Sequence, residues 1–252
     1  MSDQRDGQSM SKHDTHDEIE TSKTPRESRK PRSTPSTSGR MTVQDIQAAY
    51  ARYAKWIDRF GWLNRLFTGR YRHRQFSRAE GEVLDVACGT GSNFRYLPES
   101  TGLVAIDISE PLVERARSEL DALDRDGTVN RMDAQDLEFE DDSFDTVISS
   151  FSTCTFPDPV AALREMARVC RPDGQILLLE HGRSDNRLVA RYQEWRADSH
   201  YEKSGCRLTQ EPLAVVRRAG LTVDEAESAQ FGRITRIVCE RPDIPSSVER
   251  GE

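Results

Sequence analysis

The sequence predicts an α/β fold in which a doubly wound, mostly parallel sheet of seven strands carries helices on both faces. From Glu82 onward, short apolar runs alternate with stretches of helical periodicity, and this alternation is typical of parallel sheets. The last two apolar runs are separated by only a few residues, whereas a parallel crossover needs about a dozen or more. We therefore expect one antiparallel strand near the edge of the sheet.

The N-terminal part of the chain precedes this alternation and differs from it in composition. Residues 1–40 are rich in Ser, Thr and charged residues and contain few large apolar side chains, so they are predicted to form a disordered polar tail. Apolar residues at helical spacing between Val43 and Phe60 predict an added amphipathic helix, and residues 62–76 predict one or two more. The globular domain is predicted over residues 41–242.

The alternating region predicts strands and helices in a definite order, followed by a flexible C-terminus over residues 243–252. A helix is expected to start near Ser92, directly after the first strand, and Ser109 is the expected N-cap of the next helix. The predicted strands are Glu82–Ala87, Leu103–Ile108, Thr128–Arg131, Phe144–Ser149, Gln175–Glu180, Thr222–Ser228 and Ile234–Glu240. The other predicted helices are Pro111–Leu123, Pro159–Cys170 and Gln210–Ala219, the last with Thr209 as its cap and Gly220 after its end.

Composition and charge exclude several functional classes. The net charge of −7 and the pI near 5.4 argue against nucleic acid as a partner, because phosphate binding needs a basic face. The five cysteines form no CxxC pair, which favours a reducing, cytoplasmic setting. The five histidines show no metal-ligand spacing, so no metal site is predicted. No apolar stretch approaches the ~18 residues of a membrane span.

The stretch "VLDVACGTGSN" ends the first predicted strand and is the clearest sign of a ligand site. A phosphate-binding P-loop would need a lysine after the glycines, and none is near. A dinucleotide would want a third glycine where Phe94 stands, and the carboxylate of Asp85 would repel its phosphates. S-adenosylmethionine has no phosphate and carries an ammonium and a sulfonium group. An acidic residue at this turn suits that cofactor best.

Two further acids follow the next two predicted strands. Asp107 ends the second strand, where a carboxylate can accept both ribose hydroxyls. NAD and S-adenosylmethionine sites share this feature, so Asp107 indicates a nucleoside without choosing between them. Asp133 follows the third strand and could accept the adenine amino group, while the backbone N–H of Ala134 meets the ring.

With these motifs the sequence resembles the class I S-adenosylmethionine-dependent methyltransferases, a Rossmann-like fold, and within them the ubiquinone/menaquinone C-methyltransferase branch. The resemblance covers about Tyr50 to Arg241 and rests on "VLDVACGTG", "AIDIS", "DAQDLEFEDDSFDTVISSF" and "LREMARVCRPDGQILLLEHG". Ala87 replaces the first glycine of the family motif, a substitution frequent in that branch. The resemblance implies that the cofactor is bound by Asp85, Ala87, Gly89, Thr90, Gly91, Asp107, Ile108, Asp133, Ala134 and Ser150.

The methyl acceptor is less well defined by the sequence. An insertion of about thirty residues follows the fifth strand and is expected to act as a lid or binding element, or to be a surface helix. His181 at the end of that strand is the candidate catalytic base. The core motifs also resemble thiol S-methyltransferases and bacterial phospholipid N-methyltransferases, all of which use apolar or lipid-like acceptors. Apolar and arginine residues before Glu82 would suit a transient contact with a membrane surface.

These observations predict a methyltransferase that uses S-adenosylmethionine on a small, apolar or lipid-like acceptor by direct in-line transfer. Thiol S-methylation and phospholipid N-methylation are the alternatives within the enzyme class. A non-catalytic S-adenosylmethionine-binding regulatory protein is the alternative outside it. Asp85 and the missing third glycine disfavour an NAD-dependent oxidoreductase.

Overall fold

The computed structural model describes residues 66–241. The predicted tail at residues 1–40, the predicted helix near residues 43–60 and the C-terminal residues 243–252 lie outside this range. The first described element is α1, whose described part covers residues 66–76. It ends just before the sheet begins.

Strands and helices then alternate along the chain, as predicted. In order they are β1 (Glu82–Val86), β2 (Gly102–Asp107), α2 (Glu110–Ala122), β3 (Thr128–Arg131), β4 (Phe144–Ser150), α3 (Pro159–Val169), β5 (Cys170–His181), α4 (Arg187–Ser204), α5 (Pro212–Ala219), β6 (Thr222–Ala229) and β7 (Ile234–Glu240). The seven strands form one sheet in the order β3-β2-β1-β4-β5-β7-β6. The first five are parallel to one another. β7 runs antiparallel to both β5 and β6, which confirms the predicted reversed strand beside the edge.

The core lies in two layers, one on each face of the sheet. Leu84 and Val86 of β1 pack with side chains of α3 and α5 on one face. Val83 packs with side chains of α1 and α2 on the other face. Alternation along β1 therefore turns Asp85, which is fully buried, to the same face as Val83. This places an acid under the turn that follows β1.

The predicted helix near Ser92 is wrong in extent. The chain forms a single 3₁₀ turn, Phe94–Tyr96, and Leu97 is already extended at ψ 144°. Leu97 precedes Pro98, and the residue before a proline is pushed out of the helical region. The turn after β1 is therefore a compact loop.

The helix predicted to start at Gln210 starts later, at Pro212, with Glu211 rather than Thr209 in the cap position. The physical reason is the same, because Glu211 precedes a proline and takes φ −104°, ψ 97°. Gly220 ends the helix in the left-handed conformation, at φ 87°, as predicted.

The insertion after β5 forms a helix, α4, of 18 residues. Its start is capped by Asn186, whose side-chain oxygen accepts from the N–H groups of Leu188 and Val189. Gln193 fastens the helix to the fold, because its amide donates to the carbonyls of Gly182 and Leu208. Over residues 66–241, no helix combines the length and the apolar character needed to cross a membrane.

Candidate active site

A cavity of about 220 Å³ opens where β1, β2 and β4 end. This is the position at which doubly wound sheets bind their ligands. Most of the predicted cofactor residues line it, namely Ala87, Gly89, Thr90, Asp107, Ile108, Asp133, Ala134 and Ser150. Three predicted site residues do not line it: Asp85, Gly91 and His181.

Asp107 is fixed at the end of β2 by two backbone groups. One carboxylate oxygen accepts from the N–H of Gly89 and the other from the N–H of Ser109, both at 2.9 Å. Burial raises the pKa of Asp107, and these hydrogen bonds oppose that rise. A carboxylate has about four acceptor positions. The backbone N–H of Ile108 also acts on this carboxylate, so only part of the remaining acceptor capacity is left for a ligand in the cavity.

Gly89 and Gly91 have different roles in the turn, although both have positive φ, 59° and 77°. A Cβ on Gly89 would meet no heavy atom within 4 Å, so its backbone is open towards the cavity. A Cβ on Gly91 would lie 2.5 Å from the ring of buried Phe94. Glycine is therefore required at position 91 for packing against Phe94, and Gly91 itself does not line the cavity.

Ala87 also has positive φ, 57°. This backbone conformation costs an L-residue about 1–2 kcal/mol and costs glycine little. The positive φ at this position accounts for the glycine of the family motif.

Asp85, predicted as a cofactor residue, is fully buried beneath the cavity and does not line it. Its two oxygens accept from the side-chain amide of Asn93 at 3.1 and 3.0 Å. Burial raises the pKa of Asp85 to about 7, while the Asn93 hydrogen bond and the charge of Arg72 oppose this rise. The alternation of side chains along β1 turns this carboxylate into the core.

Arg72 on α1 is a site residue that sequence reasoning missed. It is 6% exposed, lines the cavity and donates to Ser150 Oγ at 2.7 Å. It also donates to Asn93 Oδ1, which connects it to Asp85. The available signal was an arginine on the face of α1 that also carries Thr68, Gln75 and Phe76, all of them buried.

The loop after β4 supplies an aromatic wall. Phe151, Phe156 and Pro157 line the cavity. Phe151 has φ 54°, which is rare for a bulky residue and marks a position that the surrounding structure must hold in place. The Arg72 guanidinium lies 5.2 Å from the centre of the Phe151 ring.

At the other end of the cavity, Asp133 lies after β3 as predicted. Its carboxylate accepts from the backbone N–H of Gln135 at 2.9 Å and from the Gln135 side chain at 3.1 Å. Met132 and Ala134 line the cavity beside it.

His181 lies behind the aromatic wall. Its ring stacks on Phe151 with centroids 6.4 Å apart, and its Nε2 lies 3.1 Å from the sulfur of Cys206. Cys154 lies 3.6 Å from the same sulfur. Hydrogen bonds from Cys154 and His181 hold the pKa of Cys206 well below its ordinary value. Burial lowers the pKa of His181, but the contact with Cys206 outweighs it and raises that pKa.

A family model described as a methyltransferase domain matches residues 84–178. The phosphatidylethanolamine N-methyltransferase of Cereibacter sphaeroides is 30% identical over 155 residues, which cover 56% of this chain and 74% of that protein.

The similarity to two other relatives covers a smaller share of those proteins. The mitochondrial methyltransferase OMS1 of Saccharomyces cerevisiae is 29% identical over 206 residues, 74% of this chain and 44% of OMS1. A demethylmenaquinone methyltransferase of Clavibacter sepedonicus is 40% identical over 110 residues, 43% of this chain and 44% of that protein. The chain thus spans less than half the length of these two proteins.

A solved structure supports the fold alone. An S-adenosylmethionine-dependent methyltransferase from Thermotoga maritima superposes with a TM-score of 0.56 at 19% identity, over 79% of this chain and 98% of that one. Together with the family model and the Cereibacter relative, the arrangement of the sheet and its glycine-rich turn identifies the family. The chain belongs to the class I S-adenosylmethionine-dependent methyltransferases.

Proposed function

We propose that the protein binds S-adenosylmethionine at the ends of β1, β2 and β4 and catalyses methyl transfer to a small apolar or lipid-like acceptor beside Phe151. The observation that carries this proposal is the pairing of Asp107 with Gly89. Asp107 supplies a carboxylate held in a fixed position, and Gly89 supplies a backbone that is open to the same cavity. Carboxylates on the cavity wall suit a nucleoside without phosphate groups.

The residues present fit the two halves of the cofactor. Asp107 would accept the ribose hydroxyls, and Asp133 with the Ala134 N–H would meet the adenine. Arg72 would bind the methionine carboxylate, since a guanidinium is the strongest partner for that group. Asp85 would act through Asn93, by keeping Arg72 in place.

When bound, S-adenosylmethionine supplies a methyl group on a cationic sulfur. The chain's own contribution is to hold the acceptor in line and to exclude water, and both effects lower the barrier. Phe151, Phe156 and Pro157 offer an apolar surface for this purpose. An acceptor that carries a proton would also need a base. His181, the candidate base from the sequence, does not line the cavity and is separated from it by Phe151, so we assign it no direct role as the base.

The surface of α4 supports a lipid-like acceptor. Leu188, Tyr192 and Trp195 follow one another at helical spacing and are 80%, 60% and 74% exposed. Exposed arginines, Arg187 and Arg191, lie on the same helix. Aromatic and arginine side chains together suit the boundary of an anionic lipid surface.

Phospholipid N-methylation is the second candidate. It is favoured by the similarity to the Cereibacter protein, which is named for a phospholipid acceptor. The Clavibacter relative is named for a quinone acceptor. Both names refer to lipid-soluble molecules, and this supports the class of acceptor proposed here.

Two measurements test the proposal. Calorimetry with S-adenosylmethionine, S-adenosylhomocysteine and NAD is expected to show binding of the first two only. Binding of NAD alone would contradict the proposal that S-adenosylmethionine is the cofactor.

Incubation with methyl-labelled cofactor and separate quinols, phospholipid vesicles, thiols and small amines is expected to label a quinol or a phospholipid. Label found only in small amines or thiols would rule out the lipid-like acceptor. Binding without transfer to any acceptor would favour the non-catalytic regulatory protein.

A further inference from the structure

Three sulfur and nitrogen ligands meet behind the aromatic wall of the cavity. Cys154 comes from the loop after β4, His181 from the end of β5 and Cys206 from the connection after α4. The sulfur of Cys206 lies 3.1 Å from His181 Nε2 and 3.6 Å from the sulfur of Cys154. All three ligand atoms lie within 4.8 Å of one another.

We propose that Cys154, His181 and Cys206 bind one Zn²⁺ ion, with the fourth coordination position left for water or another ligand. Two thiolates and one imidazole are the donor set that this ion prefers, and three protein ligands leave its tetrahedron open. With Zn–S bonds of ~2.3 Å and Zn–N bonds of ~2.1 Å, the edges of the tetrahedron are ~3.8 Å between sulfurs and ~3.6 Å between sulfur and nitrogen. The Cys206–Cys154 separation is ~0.2 Å shorter than its edge, and the Cys206–His181 separation is ~0.5 Å shorter than its edge. The Cys154 sulfur and the His181 ring nitrogen lie within 4.8 Å of each other, so small side-chain shifts would bring all three ligands to one ion.

Burial and charge favour a divalent ion at this place. Cys154 is 1% exposed, and Cys206 and His181 are half-buried. Two thiolates and a neutral imidazole cancel the charge of Zn²⁺, so the site carries no net charge in a poorly solvated environment. Binding at neutral pH releases the remaining ligand protons to solvent.

A neighbouring carboxylate points the same way. Glu180 is fully buried, and its Oε1 accepts from the N–H groups of Ser152 and Thr153 at 3.4 Å. Within residues 66–241, its Oε2 is buried and has no hydrogen-bond partner. A Zn²⁺ ion that neutralises both thiolates keeps further negative charge away from this buried carboxylate.

The backbone around the ligands is held in place before any metal binds. Arg207 donates to the carbonyl of Cys154 through its backbone N–H at 3.0 Å and its side chain at 3.2 Å. Gln210 donates to Thr153 at 2.9 Å, next to Cys154. Such supports fix the orientation of metal ligands and raise affinity. A bound ion would tie the connection after α4 to the loop that carries Phe151.

The experiment uses the full chain, reduced and stripped of metal, and measures Zn²⁺ binding by competition with a chromogenic chelator. We expect one Zn²⁺ per chain in the wild type and a loss of affinity of at least about 100-fold in Cys206→Ala and His181→Gln. Cys239→Ala, which removes another buried cysteine, is the matched control and is expected to bind as the wild type does. Co²⁺ in place of Zn²⁺ is expected to give the absorption of a tetrahedral thiolate complex in the wild type and not in Cys206→Ala.

Several results would overturn the proposal. One is the absence of Zn²⁺ binding by wild-type protein whose thiols are shown to be free. Another is unchanged affinity in Cys206→Ala, with circular dichroism confirming that the variant is folded. A third is a Cys154–Cys206 disulfide that forms in the reduced preparation on exposure to air while Zn²⁺ gives no protection. These readouts do not depend on methyl transfer, so they stand apart from the test of the proposed function.

Discussion

The side-chain amide of Asn93 donates to both carboxylate oxygens of Asp85, at 3.1 and 3.0 Å. The oxygen of the same amide accepts from Arg72 and from Ser150. One asparagine therefore joins an acid in the core to an arginine and a hydroxyl on the cavity wall. Asp85 has no exposed surface of its own, so we propose that it acts on a ligand through this connection.

The first prediction concerns pH and Asp85. Burial raises the pKa of Asp85 to about 7 in the folded protein, while that of an unfolded aspartate is about 4. Between about pH 4 and about pH 7, Asp85 keeps its proton in the folded state and has lost it in the unfolded state. The free energy of unfolding should therefore fall as pH rises, by at most about 1.4 kcal/mol per pH unit from this group. Above about pH 7 its contribution no longer changes with pH.

Urea unfolding of the wild type and Asp85→Asn, from about pH 5 to about pH 8, measures this effect. Asp107 and Glu180, whose pKa burial also raises, are present in both proteins. Arg72 and Asp107 are the charged groups that act on Asp85 in the folded state. The difference between the two curves therefore reports Asp85, and parallel curves would contradict the prediction.

The second prediction concerns Arg72. Arg72→Met should weaken S-adenosylhomocysteine binding about 10- to 150-fold, because hydrogen bonds to a charged partner contribute about 1.5–3 kcal/mol. Methylthioadenosine, which lacks the amino-acid carboxylate, should bind Arg72→Met and wild type alike. Arg74→Met is the matched control, since Arg74 is 66% exposed and pairs with Glu227 on the surface. An equal loss for both ligands would show that Arg72 only supports Asn93.

The third prediction concerns Asp107. Asp107→Ala should weaken S-adenosylmethionine binding by about 1–3 kcal/mol, the usual cost of leaving buried donors without an acceptor. The donors are the ribose hydroxyls of the ligand and the N–H groups of Gly89 and Ser109. Calorimetry measures the change, with Asp121→Ala on the exposed face of α2 as the control. Unchanged affinity would mean that the ribose lies elsewhere.

The fourth prediction separates the two glycines of the turn. Gly91→Ala should lower thermal stability strongly, because positive φ costs about 1–2 kcal/mol and overlap with the Phe94 ring adds about 1–3 kcal/mol. Gly89→Ala should lower the free energy of unfolding only by the cost of positive φ, because its methyl group meets no other atom. The methyl group faces the cavity, so the free energy of cofactor binding should fall by more than the free energy of unfolding. Melting temperatures and calorimetry of the two variants test this. Equal melting temperatures would refute the packing role of Gly91.

Most of the fold could be predicted from the sequence because local patterns determine it. The strands predicted at Thr128–Arg131 and Ile234–Glu240 coincide with β3 and β7, and the short connection before β7 required it to be antiparallel. Errors arose at prolines. Pro98 and Pro212 each constrain the residue before them, and this local effect overrode the wider periodicity.

The candidate site was predictable where one segment supplies both the motif and the geometry. Gly89, Thr90 and Asp107 lie where strands end, and parallel strands end at one edge of the sheet, so their positions at the cavity follow from sequence order. The burial of Asp85 could not be predicted from the motif, because a motif gives the residue type and not the environment of its side chain. Its burial depends on what α1 and Asn93 place around it.

The sequence by itself determined the sheet, its reversed strand, the turn after β1 and the class of cofactor, because each follows from residues close together in the chain. Only the tertiary structure decided that Arg72 reaches the same cavity, that Phe151 walls it, and that Cys154, His181 and Cys206 meet. His181 and Cys206 are 25 residues apart, and Cys154 and Cys206 are 52 apart. No periodicity or spacing encodes such a meeting. It results from the packing of separate segments against one sheet, which a single sequence does not reveal.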